Sequence, residues 1–489
     1  MSEHPPAGVV NEVEYEAVIG LEIHVQLKTS TKMFCGCALS FGDPPNVHTC
    51  PTCLGLPGAL PVVNERAVRF AVLIGLALGC EIAERSLFHR KNYFYPDNPK
   101  GYQISQYDVP LCRGGRLGEV RIHRVHLEED AAKLVHLGQS GRIHGSDRSV
   151  VDFNRCGTPL VEIVTEPDLH SPEQAREWLT LLRATLRQLG VSDVNMDEGS
   201  LRADANVSVR PAGSSELGTK TELKNMNSFR FLERGVRAEI ARQVGLLRAG
   251  EPVVQETLHF DPSSGQLTAL RSKEQAHDYR YFPEPDLVPL VVEEEMLSAA
   301  RSGLPELPAA RAERFERELG LSAGRAHELA FRGELGDYFE RALAAAQPAQ
   351  AVELANWIPL LVERIGSDAD PADSNVTPES LAELAKLVGS GEVSRDAART
   401  VLTTLVATGG DPREIVTREQ LGAITGEDDG LGELVKRAIA EDPDAAEKLR
   451  AGNLKAIGPL VGYVMRATGG RADGGEVARL IREQVGQRG

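Results

Sequence analysis

From Glu16 to Val292 the hydrophobic positions fall mostly in short alternating runs, with a few longer helical stretches between them. Val18-Ile19-Gly20-Leu21-Glu22-Ile23-His24-Val25 reads as a strand whose polar members, Glu22 and His24, leave the same face. Leu201 to Arg210 alternates more cleanly. Asp204, Asn206, Ser208 and Arg210 fall on one side, and Ala203, Ala205, Val207 and Val209 on the other. That pattern predicts a half-buried strand of an antiparallel sheet with a polar working surface. The apolar run Phe70 to Cys80 predicts a buried helix, with Asn64 as N-cap and Gly79 near its end. Ser171-Pro172-Glu173-Gln174 opens a second helix, whose stripe is Trp178, Leu181, Leu182, Leu186 and Leu189 and whose stop is Gly190. After Leu304-Pro305-Glu306-Leu307-Pro308 the periodicity becomes helical and stays so.

The expected class is therefore α+β: an antiparallel sheet with helices, then an all-α domain, then a small α-helical tail domain. The expected boundaries are 1–14 for a flexible N-terminal tail, 15–300 for the sheet domain, 301–408 for the helical domain and 409–489 for the last one. Gly409-Gly410-Asp411-Pro412 marks the final break. A length of 489 residues suits about three domains.

Composition narrows the function classes. The N-terminus lacks the apolar stretch of a signal peptide, and the longest apolar run is too short for a membrane span. Seven cysteines, four of them clustered, suit a reducing cytoplasm, and no membrane partner is expected. The net charge of −17 argues against indiscriminate nucleic-acid binding, DNA included. Charge is uneven at the C-terminus, however. Residues 411–447 carry four Lys/Arg against eleven Asp/Glu, whereas residues 448–489 carry eight against three. Such a switch suits a face for a polyanion, through Lys448, Arg450, Lys455, Arg466, Arg471, Arg479 and Arg482. It suits a solvated helical surface equally well.

Three constellations carry candidate chemistry. The first is Cys35-Gly-Cys37 and Cys50-Pro-Thr-Cys53, two tight thiol pairs at zinc-ligand spacing. The second is a set of carboxylates in strand-like frames: Glu22 beside His24, Glu128 and Glu129 in His126-Leu127-Glu128-Glu129-Asp130, Glu162 alone between Val161 and Ile163, then Glu198 and Asp204. A lone carboxylate such as Glu162 is costly to bury unless a cation pairs with it. Several carboxylates plus one imidazole suit Mg²⁺ holding nucleotide phosphates. The third is the loop Arg90 to Tyr107, dense in aromatic, amide and basic groups on which an unpaired base or an adenine ring could stack, Tyr93 among them. Gly213 to Thr221 nearly matches a phosphate loop, but Thr219 intrudes and the segment reads as a hairpin loop. Phosphate contacts then fall to scattered cations: Arg90, Lys91, Lys220 and Lys224.

At these residues the chain resembles a known family. Ile19 to Leu27, Arg90 to Gln106, Gly157 to Glu162 and Asp278 to Asp286 look like the GatB/GatE family of tRNA-dependent amidotransferase subunits. The B type fits better, since no inserted domain has room between Pro289 and Pro305. The resemblance implies a cradle similar to the glutamine synthetase catalytic fold. It also implies ATP-dependent activation of the side-chain carboxylate of Glu-tRNA(Gln) or Asp-tRNA(Asn). Ammonia from the glutaminase partner, the A component, then completes the amide, and a small C component completes a heterotrimer. The family's metal positions map onto His24, Glu129 and Glu162, with Glu22 beside His24 and Asp204 as a further acidic position. Cys35, Cys37, Cys50 and Cys53 match a zinc site that some members have and others lack, which implies a structural zinc. The rival reading from another class is a zinc-knuckle scaffold that binds tRNA and catalyses nothing.

Overall fold

The computed structural model describes residues 14–486, except 41, 139–145, 272–278, 347–349, 367–368 and 425–428. Nearly all of the expected N-terminal tail and Asp278 of the Asp278–Asp286 motif lie outside the described residues. The chain divides after Leu307 into two units, each with its own core.

The first unit is built on a 10-stranded sheet. At its centre Tyr15–Gln26 lies between Leu201–Pro211 and Pro159–Thr165, antiparallel to both. Val120–Glu129 follows beyond Pro159–Thr165, and Thr221–Met226 beyond Leu201–Pro211. Thr257–Phe260 runs parallel to Thr221–Met226, and Leu267–Arg271 closes that edge. The two faces separate by chemistry because side chains alternate along each strand. Ile19, Leu21, Ile23, Val25, Val161, Ile163, Leu201, Ala203, Ala205 and Val207 point into one apolar core. The helices Pro172–Gln188 and Phe229–Arg248 contribute Trp178, Leu182, Leu186, Leu232 and Val236 to it.

The helix signals act as the sequence indicates. Asn64 caps Glu65–Ala77 by accepting from the amides of Arg66 and Ala67. Ser171 accepts from the amide of Gln174. The Gln174 carboxamide reaches back one residue further than a capping box does, to the amide of His170 at 2.9 Å. Gly213 to Thr219 links two antiparallel neighbours, as a hairpin loop does.

The second unit is helical among the described residues, from Pro308–Leu319 to Gly474–Gly486. Its larger core runs from Ala312 to Ile415, and a separate cluster runs from Leu431 to Val485. Gly409 and Gly410 end the helix Arg395–Thr408 with positive φ, where expected. The larger core continues past that break, because Ile415 and the packed Leu421 belong to it.

Candidate active site

The polar face of the sheet collects charge in rows set by strand register. His24 lies opposite Arg202 on one side and Glu162 on the other, and Glu162 lies opposite His126. In the next row Glu22 stands between Asp204 and Val164, with Arg124 beyond. On the other side Glu128 lies opposite Leu160. The His24 Nε2 is 3.4 Å from Glu162, 3.5 Å from Glu128 and 3.8 Å from Glu22. The His126 Nε2 is 3.6 Å from Glu162 and 3.8 Å from Glu128. Arg124 reaches Glu162 at 3.2 Å, and the Ser105 hydroxyl donates to Glu128 at 3.1 Å.

Glu128 and Glu162 are buried, so their charges are felt strongly. Burial works against a charged His24, but the hydrogen bond to Glu162 and the charges of Glu128, Glu162 and Glu22 outweigh it. The imidazole is pushed up to about 9. Burial would also raise Glu162, yet His126, His24 and Arg124 hold it well below the usual carboxylate range. Glu22 goes the other way, raised by burial and then by the Glu162 charge. A proton on His24 thus stands where a cation would satisfy three carboxylates. Two overlapping donor sets, Glu22–His24–Glu162 and His126–Glu128–Glu162, each bring their ligand atoms within 4.8 Å of one another. Carboxylate oxygens joined by an imidazole fit a hard divalent cation.

The structure sorts the expected site residues. Glu22, His24 and Glu162 converge. Glu129 does not join them, and Glu128 stands in its place. Consecutive strand residues face opposite ways, and Glu128 shares the face of His126. The Glu129 carboxylate instead accepts from the Lys100 ammonium and from the Ile104 amide. It lines a cavity of about 200 Å³ with Lys32, Cys35, Cys53 and Tyr102. Asp204 lies one strand away from Glu22, bound to Lys224 at 3.1 Å, and Lys224 also reaches Glu222 at 3.5 Å. Glu198 is exposed in a turn, apart from this face.

Lys91 lies near the cluster, its ammonium 4.9 Å from the Tyr279 ring centroid. Burial opposes its charge, but Tyr281, Glu128 and Glu162 more than compensate and raise its pKa. Arg90 is engaged elsewhere. It grips the buried Glu284 with two hydrogen bonds of 2.8 Å and touches Asp286. Asn92 donates to the carbonyls of Tyr279 and Arg280, and Arg280 holds a φ of 46°. Arg90 and Asn92 therefore fasten the Tyr279–Asp286 segment beside Lys91. Tyr93 packs edge-on to Tyr279, and Tyr107 stacks on Tyr281 at 4.3 Å. Lys220 sits exposed in the hairpin loop.

Three further contributors adjoin the run His126–Asp130 or lie within it, but the sequence gives them no role of their own. Asp130 accepts from Gln26 at 3.0 Å and Arg155 at 2.7 Å and lies 3.0 Å from Arg202. Arg124 and His126 both reach Glu162. The one available signal was parity, since Arg124, His126, Glu128 and Asp130 are every second residue of one strand-like run.

The four thiols Cys35, Cys37, Cys50 and Cys53 form the other cluster, with sulfurs within 4.8 Å of one another. A tetrahedron with Zn–S bonds of 2.3 Å has edges of about 3.8 Å, so the set fits zinc with little movement. Cys53 is lowered to about 4 by the Cys35 thiol, and the Lys32 ammonium adds to this. In the second unit Lys448, Arg450, Lys455, Arg466 and Arg482 are exposed. Arg479 is tied to Glu476 and Glu483, and Arg471 to the carbonyls of Thr468 and Gln420.

Comparison with known proteins identifies relatives over nearly the whole chain. Residues 17–298 match the GatB/GatE catalytic domain, and residues 337–485 match a GatB domain. A protein of Frankia casuarinae is 51% identical over 99% of this chain and 100% of its own length. One of Anaeromyxobacter sp. (strain K) is 49% identical over 97% and 99%. One of Carboxydothermus hydrogenoformans is 48% identical over 96% and 99%. All three are named as the B subunit of aspartyl/glutamyl-tRNA(Asn/Gln) amidotransferase. At this identity and coverage, the chain belongs to the GatB/GatE family.

Proposed function

We propose that this chain is the B subunit of an aspartyl/glutamyl-tRNA(Asn/Gln) amidotransferase and that the polar sheet face is its synthetase site. There the side-chain carboxylate of Glu-tRNA(Gln) or Asp-tRNA(Asn) is phosphorylated by ATP, and ammonia displaces phosphate to form the amide. A carboxylate is a poor electrophile, and phosphorylation supplies its leaving group. The observation that carries the site assignment is the convergence of Glu22, His24, Glu128 and Glu162 on one face.

His24, Glu128 and Glu162, with Glu22 beside them, would hold a magnesium ion, which would supply positive charge against the phosphates and the transferring phosphoryl group. Lys91 and Lys224 hold phosphate oxygens as point charges. Tyr93, Tyr279 and Tyr281 meet edge to face and give an aromatic wall for an adenine ring. Arg90 and Asn92 act at one remove, by fastening that wall. Asp130 keeps Arg155 and Arg202 at the end of the face. In this reading residues 15–300 are a catalytic cradle of the glutamine synthetase kind, 301–421 a helical domain and 422–489 a tRNA-binding domain. Ammonia comes from the glutaminase A component, with the small C component completing a cytoplasmic heterotrimer. The Cys35, Cys37, Cys50, Cys53 set holds a structural zinc.

The test uses the assembled complex with Glu-tRNA(Gln), Asp-tRNA(Asn) or the free amino acids. ATP cleavage should require a misacylated tRNA, and the amidated product should match it. Cleavage driven equally by free glutamate would refute the reading. Lys448→Glu with Lys455→Glu should raise the KM for tRNA and flatten the salt slope of binding by about two units. An unchanged slope would make the tail a solvated surface.

A further inference from the structure

Lys32 is fully buried, yet among the described residues no carboxylate lies within ion-pair distance of it. Its three N–H groups have other partners. The amine nitrogen donates to the His48 carbonyl at 2.8 Å, to the Phe153 carbonyl at 3.0 Å and to the Cys53 sulfur at 3.5 Å. Three donors meeting three acceptors is the valence of an ammonium. A buried ammonium without a counter-charge is expensive. The negative charge nearest to hand is the thiol cluster.

The same lysine stands where two loops are knitted together. Its backbone amide donates to the Cys37 carbonyl, and the next amide, Met33, donates to the Gly157 carbonyl at 2.7 Å. The Cys156 thiol donates to the Cys53 carbonyl at 3.4 Å. The His48 amide donates to Asn154 at 2.8 Å, and the Phe153 amide donates to Asn46 at 2.7 Å. Segment 153–158 then exchanges hydrogen bonds with Asp130 and runs directly into Pro159–Thr165, the strand of Glu162.

We propose that Lys32 is the positioning residue that makes this knuckle a metal site and transmits its loading to segment 153–158. Four thiolates around a divalent cation leave a net charge of −2, and Lys32 offsets half of it from inside the protein while holding one ligand by its sulfur. Without the cation and its thiolates the ammonium has no reason to stay buried, and its bond to Phe153 loses its anchor. The inference rests on the zinc reading of the four cysteines.

The experiment measures zinc in the assembled complex and its rate of release to a chromogenic chelator. Lys32→Met keeps the stem and removes the charge. It should release zinc about 10–100-fold faster than wild type. Leu186→Ala, in the core on the apolar face, controls for general loss of stability and should not change the rate. Wild type without zinc would sink the knuckle reading itself. Wild type with zinc, and Lys32→Met with an unchanged rate or no faster than Leu186→Ala, would overturn only the role of Lys32. If Lys32→Met does not fold, amide exchange in wild type decides. Stripping zinc should expose the amides of 153–158, and unchanged protection there would overturn the proposal.

Discussion

The first unit carries two clusters of side chains with the donor atoms of a metal site, and they are built on opposite principles. The carboxylate cluster draws one or two residues from each of three strands, and the register of a sheet holds them. The thiol cluster comes from a single loop, two residues from each tight pair, and its own ligands shape it. The strands would keep their places without an ion, since an apolar core beneath holds them. The loop has little apolar core of its own, with only Cys53 buried among its four thiols. A site on a prebuilt frame can place charge with precision and be left short of a cation until substrate arrives. A site that is its own frame should depend on its ion for structure.

The sharpest break of this contrast is Glu162→Gln. It should cut tRNA-dependent ATP cleavage by about 10²–10³-fold, as removal of a preorganised charge does, while zinc content stays that of wild type. Cleavage within tenfold of wild type would make the carboxylate mere structure. Cys50→Ser with Cys53→Ser should do the reverse. Loss of about 3 kcal/mol from a domain of this size lowers the melting temperature by about 6–12 °C, and zinc content should fall with it. Below that transition most of the ATP cleavage should persist. An unchanged melting curve would dissolve the distinction.

A finer test separates neighbours. Glu128→Gln should raise the magnesium needed for half-maximal activity about tenfold, whereas Glu129→Gln should leave it within about twofold. The opposite order would restore Glu129 as a ligand. The smallest effect is expected at Asn64. Its side chain caps Glu65–Ala77 and also donates to the carbonyls of Thr31 and Lys32 at the root of the knuckle. Asn64→Ala should cost about 1–2 kcal/mol, read by urea denaturation. ATP cleavage should not change, and a loss of zinc affinity would show that the cap matters to the loop.

The two clusters also differed in how far the sequence revealed them. The thiols announce themselves, because a loop site puts its ligands within a few residues. His24 and Glu162 could be named as suspects, but their meeting depends on strand pairing, which no local spacing encodes. Glu128 and Glu129 are adjacent, and only the direction of the strand end separates them. Arg90 reads as a free cation until Glu284, far along the chain, closes on it. Lys32 was invisible, since a lysine in a loop is ordinarily exposed. The sheet, the capped helices and the change to helix near Pro308 follow from periodicity and capping alone. The end of the larger helical core does not, because the Gly409–Pro412 break interrupts a helix and not the packing around Ile415.

The row Arg202–His24–Glu162–His126 has a consequence for how the chain folds. Sliding any of these strands by one residue would turn ionisable side chains into the hydrocarbon interior and bring Ile23, Val161 or Val125 out to water. Each such error would bury groups that cost several kcal/mol apiece without a partner. The side chains of the candidate site thus also act as a spelling check on the sheet, rejecting misaligned pairings before the polar face exists.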